Sequence, residues 1–195
     1  CDFIAFLDAD DYFLPNRFSK AKEIFEMDPT HEGVYEAIGM HVEDEKALQR
    51  WRAAGKPEDL IKTISKVIRP EDLGEALIRG GVGHFSLDGL TIKKSVVEKS
   101  GYMDVNLRLH QDSYFCIKVA LSAKLLPGRL TEPVSMWRVH ISNRVSTPRS
   151  QRQIFEDKMA FWMSLHHWSM EHANSDIQHT VRDSIIQYSR SHKYF

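Results

Sequence analysis

A chain of 195 residues with 42% hydrophobic and 27% charged side chains carries enough apolar material for a globular core. Its 26 basic and 27 acidic residues leave a net charge of −1, which excludes the basic field that nucleic acid binding requires. No apolar run approaches the roughly 20 residues of a membrane-spanning helix. The two cysteines, Cys1 and Cys116, have neither metal nor redox spacing, so a reducing compartment is the simpler expectation.

Phe3 to Leu7 is a short apolar run of the kind buried on both faces of a sheet, and it predicts a strand with neighbours on either side. The chain starts without Met and reaches this strand at once, so the later part of a longer protein is expected. The run leads straight into Asp8, Asp10 and Asp11. Pro15 and Asn16 then open a helical stretch in which Phe18, Ala21, Ile24 and Phe25 recur at helical spacing, closed by Asp28 and Pro29. Residues 33 to 42 read as a strand. Residues 43 to 60 are charged and helix-prone, and read as a solvated excursion outside the core.

Between 69 and 104 the pattern holds a short helix, a glycine-rich loop at 80 to 83 and a strand near Gly89 to Ile92. A helical turn from Ser95 to Ser100 follows, closed by Gly101. Residues 111 to 123 have helical apolar spacing at Phe115, Val119 and Ala120, and 133 to 140 read as a strand. Two helices follow Arg149, the first carrying Phe155, Met159, Trp162 and Leu165 on one side. Strands mixed with helices predict an α/β fold. His166, His167 and His172 lack the three- or four-residue spacing that shares a helical face, so zinc is not expected among them.

Three carboxylates directly after a buried strand repel one another, so a positive partner is expected beside them. They fall at the carboxyl end of a strand, where open α/β sheets place ligands. Carboxylates are hard oxygen ligands suited to Mg²⁺ or Mn²⁺, which share coordination with substrate phosphates. A single Asp here would ordinarily be a helix cap; three make that reading weaker. A calcium-binding EF-hand loop is excluded, because the sixth position from Asp8 is Phe13 where that loop needs glycine. A haloacid-dehalogenase-type phosphatase also carries Asp-x-Asp after an apolar strand. It usually continues with small residues and then Thr or Val, whereas this chain has Asp11 and Tyr12.

The stretch "FIAFLDADDYFLPNRF" resembles the D-x-D segment of family-2 glycosyltransferases of GT-A fold, in which a "P-x-R-aliphatic" helix start follows the acids; Phe18 takes the aliphatic place here. "LDGLTIKKSVVEKSGYMDVNLRLHQDSYF" is similar to their central segment, with its "G-aromatic-x-D" turn and an acid pair opening a helix. "EPVSMWRVHISNRVS" looks like the strand that comes next. Three ordered segments spanning 3 to about 147 carry the resemblance. It implies a GT-A mixed sheet, Rossmann-like, over residues 1–147, truncated at the N-terminus, and a helical extension over 148–195. About 90 residues of βα units, which hold the nucleotide base in that fold, would precede it.

Residue by residue, the resemblance implies that Asp10 ligates Mn²⁺ or Mg²⁺ on the diphosphate of a nucleotide-sugar, with Asp8 beside it and His140 as a further ligand. Asp11, Arg138 and Arg144 would face the donor. Asp112 would be the general base on the acceptor hydroxyl in an inverting displacement. His84, Asp88 and Gln111 would line the acceptor site, with Gln111 standing where many relatives have Glu. A bacterial hexosyltransferase of envelope polysaccharide assembly is implied, with a glycan or lipid-linked acceptor and no nucleic acid partner. Its expected place is the cytoplasm, peripheral at the inner membrane face. The exposed edge of the truncated sheet predicts a homodimer. These 195 residues alone are expected to be weak or inactive. The alternatives are the D-x-D phosphatase and a catalytically idle GT-A domain that binds partners.

Overall fold

In the computed structural model the described residues are 2–56, 61–64, 66–143, 147 and 149–192. The opening apolar run becomes strand β1 (Phe3–Ala5), followed after the acidic turn by β2 (Tyr12–Phe13), helix α1 (Ser19–Met27), β3 (Gly33–Tyr35) and β4 (Ile38–Val42). Helix α2 (Glu45–Ala53), β5 (Ile61–Lys62) and α3 (Pro70–Arg79) come next. A 3₁₀ turn at Leu87–Gly89 leads into β6 (Leu90–Lys93), α4 (Lys94–Ser100), α5 (Gln111–Ser122), β7 (Leu125–Pro127) and β8 (Ser135–Val139). Two long helices close the chain, α6 (Gln151–His172) and α7 (Ser175–Ser191). The mixed α/β composition matches the expectation from the sequence.

The chain divides into two compact units, the first built from residues 1–67, 83–94 and 125–148. It holds two four-stranded sheets, in the orders β1-β6-β3-β7 and β2-β8-β4-β5. In the first sheet β6 is antiparallel to both β1 and β3, while β7 runs parallel to β3. In the second, β8 runs parallel to β4, with the short β2 and β5 antiparallel on the outside. Helix α1 covers β3 through Ala21 and Ile24 against Val34.

Two expectations change here. β1 is an edge strand and not a central one: among the described residues its only partner is β6, and Phe3 and Leu7 are exposed. The buried-both-faces pattern belongs instead to β6, whose Leu90, Thr91 and Ile92 are all buried between two neighbours. The charged stretch after β4 is also not a solvated excursion throughout. Ala47 and Trp51 of α2, four residues apart on one face, are buried against Val139 with Met40, Val42 and Trp137. Charge on the outer face of this helix masked an apolar stripe on the inner one.

The second unit comprises residues 68–82, 95–124 and 149–195, and is helical. Helices α3 and α5 pack closely at Gly74, where a Cβ would lie 2.4 Å from Cδ2 of Leu121. α6 buries Phe161, Trp162, Leu165 and Trp168, and Trp168 Nε1 donates to the Ser100 carbonyl at 3.1 Å. Ser150 and Gln153 form a capping box at the start of α6, and Asn174 caps α7. Among the described residues no helix is long and apolar enough to cross a membrane.

Candidate functional site

The acidic segment is a tight turn between β1 and β2, closed by the Asp11 N–H donating to the Asp8 carbonyl at 3.1 Å. It sits on a polar scaffold that the sequence reading did not single out. Arg17, just before α1, is buried with Glu36, its Nη1 2.9 Å from Glu36 Oε2 and their side chains 2% and 0% exposed. Arg129 closes on the other carboxylate oxygen of Glu36 at 3.3 Å. Arg17 Nε and Ser135 Oγ both donate to the carbonyl of Asp88, at 3.1 Å each, and Arg17 Nη2 donates to that of Leu90 at 3.3 Å. Gly89 lets this turn approach, since a Cβ there would lie 2.2 Å from the Glu36 carbonyl oxygen. Arg17 occupies the arginine place of "P-x-R", the one signal that could have found it.

On this scaffold the acids divide into two sets. Asp10 and His140 come together from opposite ends of the unit: Asp10 Oδ2 is 2.8 Å from His140 Nε2, across 130 residues of sequence. The hydrogen bond with His140 holds the Asp10 carboxyl below its ordinary value. His140 is oriented by Asn143, whose Oδ1 accepts from the His140 N–H at 2.6 Å. Asp8 falls in with Asp11 and Asp88, one ligand atom from each lying within 4.8 Å of the others. The Asp8 N–H donates to Asp88 Oδ1 at 3.0 Å, and the Arg138 N–H donates to Asp11 Oδ1 at 2.8 Å. Asp11 Oδ2 is buried with no hydrogen-bond partner among the described residues. Burial, with Asp88 close by, pushes the Asp11 carboxyl up to about 8.

The predicted residues therefore distribute as follows. Asp8, Asp10, Asp11, Asp88, Arg138 and His140 all belong to the first unit. Asp88 is buried at the turn and joins Asp8 and Asp11. The Arg138 guanidinium meets Glu43 at 2.7 Å. Next to it, Tyr12 shares a 2.9 Å hydrogen bond with His41, a pair absent from the sequence reading. His84 is half-buried, 2.6 Å from the Phe85 carbonyl. Arg144 lies outside the described residues.

Asp112 and Gln111 belong to the second unit, in the first turn of α5. A carboxylate there is favoured by the helix dipole. The residue before them, His110, has a left-handed backbone with φ +67°, and the Gln111 side-chain amide donates to the Leu107 carbonyl. Lys118, on the same helix, is buried and donates to the Tyr102 carbonyl of the "GYMD" turn at 2.6 Å. Burial brings its ammonium down to about 8.

The donor chemistry in the first unit fits a divalent cation. Asp10 is partly exposed and His140 is within reach of solvent, so a cation that replaced their 2.8 Å hydrogen bond would meet a carboxylate oxygen and an imidazole nitrogen. The Asp8, Asp11 and Asp88 oxygens are spread narrowly enough for one ion with metal–oxygen distances of about 2.0–2.6 Å to bridge.

Comparison with known proteins adds the following. No protein-family model matches the chain. It is 23% identical over 155 residues to an uncharacterized glycosyltransferase of Haemophilus influenzae, a match covering 78% of this chain and 47% of that protein. Among solved structures it is similar to residues 1–349 of S. aureus TarS in complex with UDP-GlcNAc. The TM-score is 0.60 at 14% identity, covering 98% of this chain and 49% of the other. A second crystal structure of TarS 1–349 gives a TM-score of 0.56 at 13% identity, covering 98% of this chain and 48% of the other. The chain thus spans about half the length of the proteins it matches, and across that span it shares the fold of the corresponding part of TarS.

Proposed function

We propose that this chain is the acid-bearing part of a metal-dependent, family-2-like glycosyltransferase of GT-A fold, moving a sugar from a nucleotide-diphosphate-sugar to an acceptor hydroxyl with inversion. The observation that carries the reading is the Asp10–His140 pair, which brings the D-x-D turn and the end of β8 together at 2.8 Å. The similarity to a glycosyltransferase of H. influenzae and to a TarS structure holding UDP-GlcNAc supports it.

Asp10 and His140 would hold Mn²⁺ or Mg²⁺, with Asp8 on the same turn but grouped with Asp11 and Asp88; the bound ion would supply charge stabilisation for the departing diphosphate. Asp8 and Asp11 border the donor, and Asp112 removes the acceptor proton as general base. The ion pair with Glu43 keeps Arg138 extended beside the acids, ready to exchange its partner for a phosphate. β1 offers a sheet edge for self-association, which sedimentation over a concentration series checks.

The test is calorimetric titration of the protein with UDP and GDP, with and without Mn²⁺, alongside Asp10→Ala and His140→Ala. The expected result is metal-dependent nucleotide binding that both substitutions weaken at least tenfold. Binding of equal strength in Asp10→Ala would overturn the assignment of the acid turn to the donor.

A further inference from the structure

Four carboxylates meet around the acid turn: Asp10 facing His140, and Asp8, Asp11 and Asp88 together. A divalent ion between Asp10 and His140 balances only part of that charge. Arg17 and Arg138 are both bonded to this region, yet their guanidinium groups close on Glu36 and Glu43. The trio of Asp8, Asp11 and Asp88 therefore lacks a cation of its own among these arginines.

Burial turns that lack into a demand. Asp88 is 2% exposed and Asp11 9%, where a carboxylate is costly unless something pairs with it. Each spends one oxygen on a backbone donor: Asp88 Oδ1 accepts the Asp8 N–H at 3.0 Å, and Asp11 Oδ1 accepts the Arg138 N–H at 2.8 Å. Asp11 Oδ2 is buried and has no hydrogen-bond partner among the described residues. Nearly every buried polar atom of a native protein finds a partner, so this oxygen calls for one. Asp8 is exposed and gives a hydrated ion a way in. One ligand oxygen from each acid lies within 4.8 Å of the others, a spread that one ion with metal–oxygen bonds of about 2.3–2.6 Å can bridge. The set is oxygen only, whereas the Asp10–His140 pair brings an imidazole nitrogen. Oxygen-only sets suit hard cations, Ca²⁺ included, which imidazole serves poorly.

We propose that Asp8, Asp11 and Asp88 form a second cation site, separate from the Asp10–His140 pair, which takes a hard divalent ion through oxygen alone. An ion there ties both ends of the acid turn, at Asp8 and Asp11, to the 3₁₀ turn that enters β6, at Asp88. Its role is to hold the acid turn in shape, and so to keep Asp10 facing His140. Neither the sugar donor nor the transferase reading is needed for it. The rival occupant of the same place is a proton shared between Asp11 and Asp88.

The experiment uses Ca²⁺ as the probe, because it discriminates against the imidazole-bearing pair. Ca²⁺ is titrated by calorimetry into metal-free protein without nucleotide, and thermal unfolding is followed with and without it. The expected result is one saturable binding event below about 1 mM, with a raised unfolding temperature. Asp8→Asn and Asp11→Asn should each weaken the binding at least tenfold and abolish the thermal shift, while His140→Ala keeps both. Circular dichroism checks that the variants are folded, and Asp8→Asn, at an exposed position, decides the matter should Asp11→Asn fail to fold. No saturable binding overturns the proposal, as does binding kept in Asp8→Asn and Asp11→Asn or lost in His140→Ala. A shared proton gives a third pattern that also overturns it: Ca²⁺ has no effect, and Asp11→Asn is at least as stable as the unsubstituted protein. The Mn²⁺-dependent nucleotide binding tested above follows Asp10 and His140, so its failure and the failure of this site are read independently.

Discussion

Replacing Arg17 with Met should loosen the platform on which the acid turn rests. The substitution keeps volume but leaves Glu36, whose side chain is 0% exposed, with Arg129 as its one remaining ion-pair partner at 3.3 Å among the described residues. Removing one partner of a buried ion pair costs about 3–5 kcal/mol. The partial cover by Arg129 argues for the low end, about 3 kcal/mol. The carbonyls of Asp88 and Leu90 also lose their guanidinium donor, adding roughly 1 kcal/mol each where the site stays dry. A total near 5 kcal/mol, divided by a urea dependence of about 2 kcal/mol/M, lowers the unfolding midpoint by about 2.5 M. Equilibrium urea unfolding by circular dichroism reads it, with tryptophan fluorescence as a second probe of unfolding. Arg17→Met/Glu36→Leu should then cost clearly less than the sum of the two single substitutions, because neither buried charge faces the other's absence. A cost under 1 kcal/mol for Arg17→Met, or strict additivity in the double variant, would refute the account of this pair as the support of Asp88.

Gly89→Ala should cost about 3 kcal/mol or more, since its Cβ would meet the Glu36 carbonyl at 2.2 Å and backbone has to shift; thermal unfolding measures it. Ser150→Ala removes the capping box of α6 and should cost about 1 kcal/mol, read as a lower midpoint in the same urea assay. Lys118 titrates near 8 in the fold against 10.5 when exposed, so between pH 8 and 10 the unfolded chain binds more protons than the native one. Stability should therefore rise with pH across that window and be flat with respect to this group below it; Lys118→Met should abolish the rise. His110 adopts φ +67° before the turn that carries Asp112, so His110→Gly should relieve backbone strain where His110→Ala does not. The two variants, compared by thermal unfolding, should differ in favour of glycine by about 1 kcal/mol.

What the sequence by itself determined is largely local. The α1 region, β6, α5 and the two C-terminal helices are legible because apolar periodicity and caps act over a few residues. The same holds for the acid turn: an apolar run ending in Asp8, Asp10 and Asp11 announces a charged site, whatever packs around it. His140, by contrast, was named only through the resemblance, as one residue of the segment that becomes the end of β8. Only the tertiary structure decided which acids keep company. Asp10 pairs with His140, while Asp8 and Asp11 gather around Asp88, because Gly89 lets the 88–89 turn close onto Glu36 and Arg17 locks it there. Such contacts join residues 19 to 130 positions apart, and no local pattern encodes them. The burial of Trp51 is of the same kind. The charges around it describe one face of α2, and only the sheet beneath reveals the other. Periodicity reports which side of an element is apolar; which partner covers it is settled by packing, where shape and hydrogen-bond satisfaction across distant segments choose among many compatible faces.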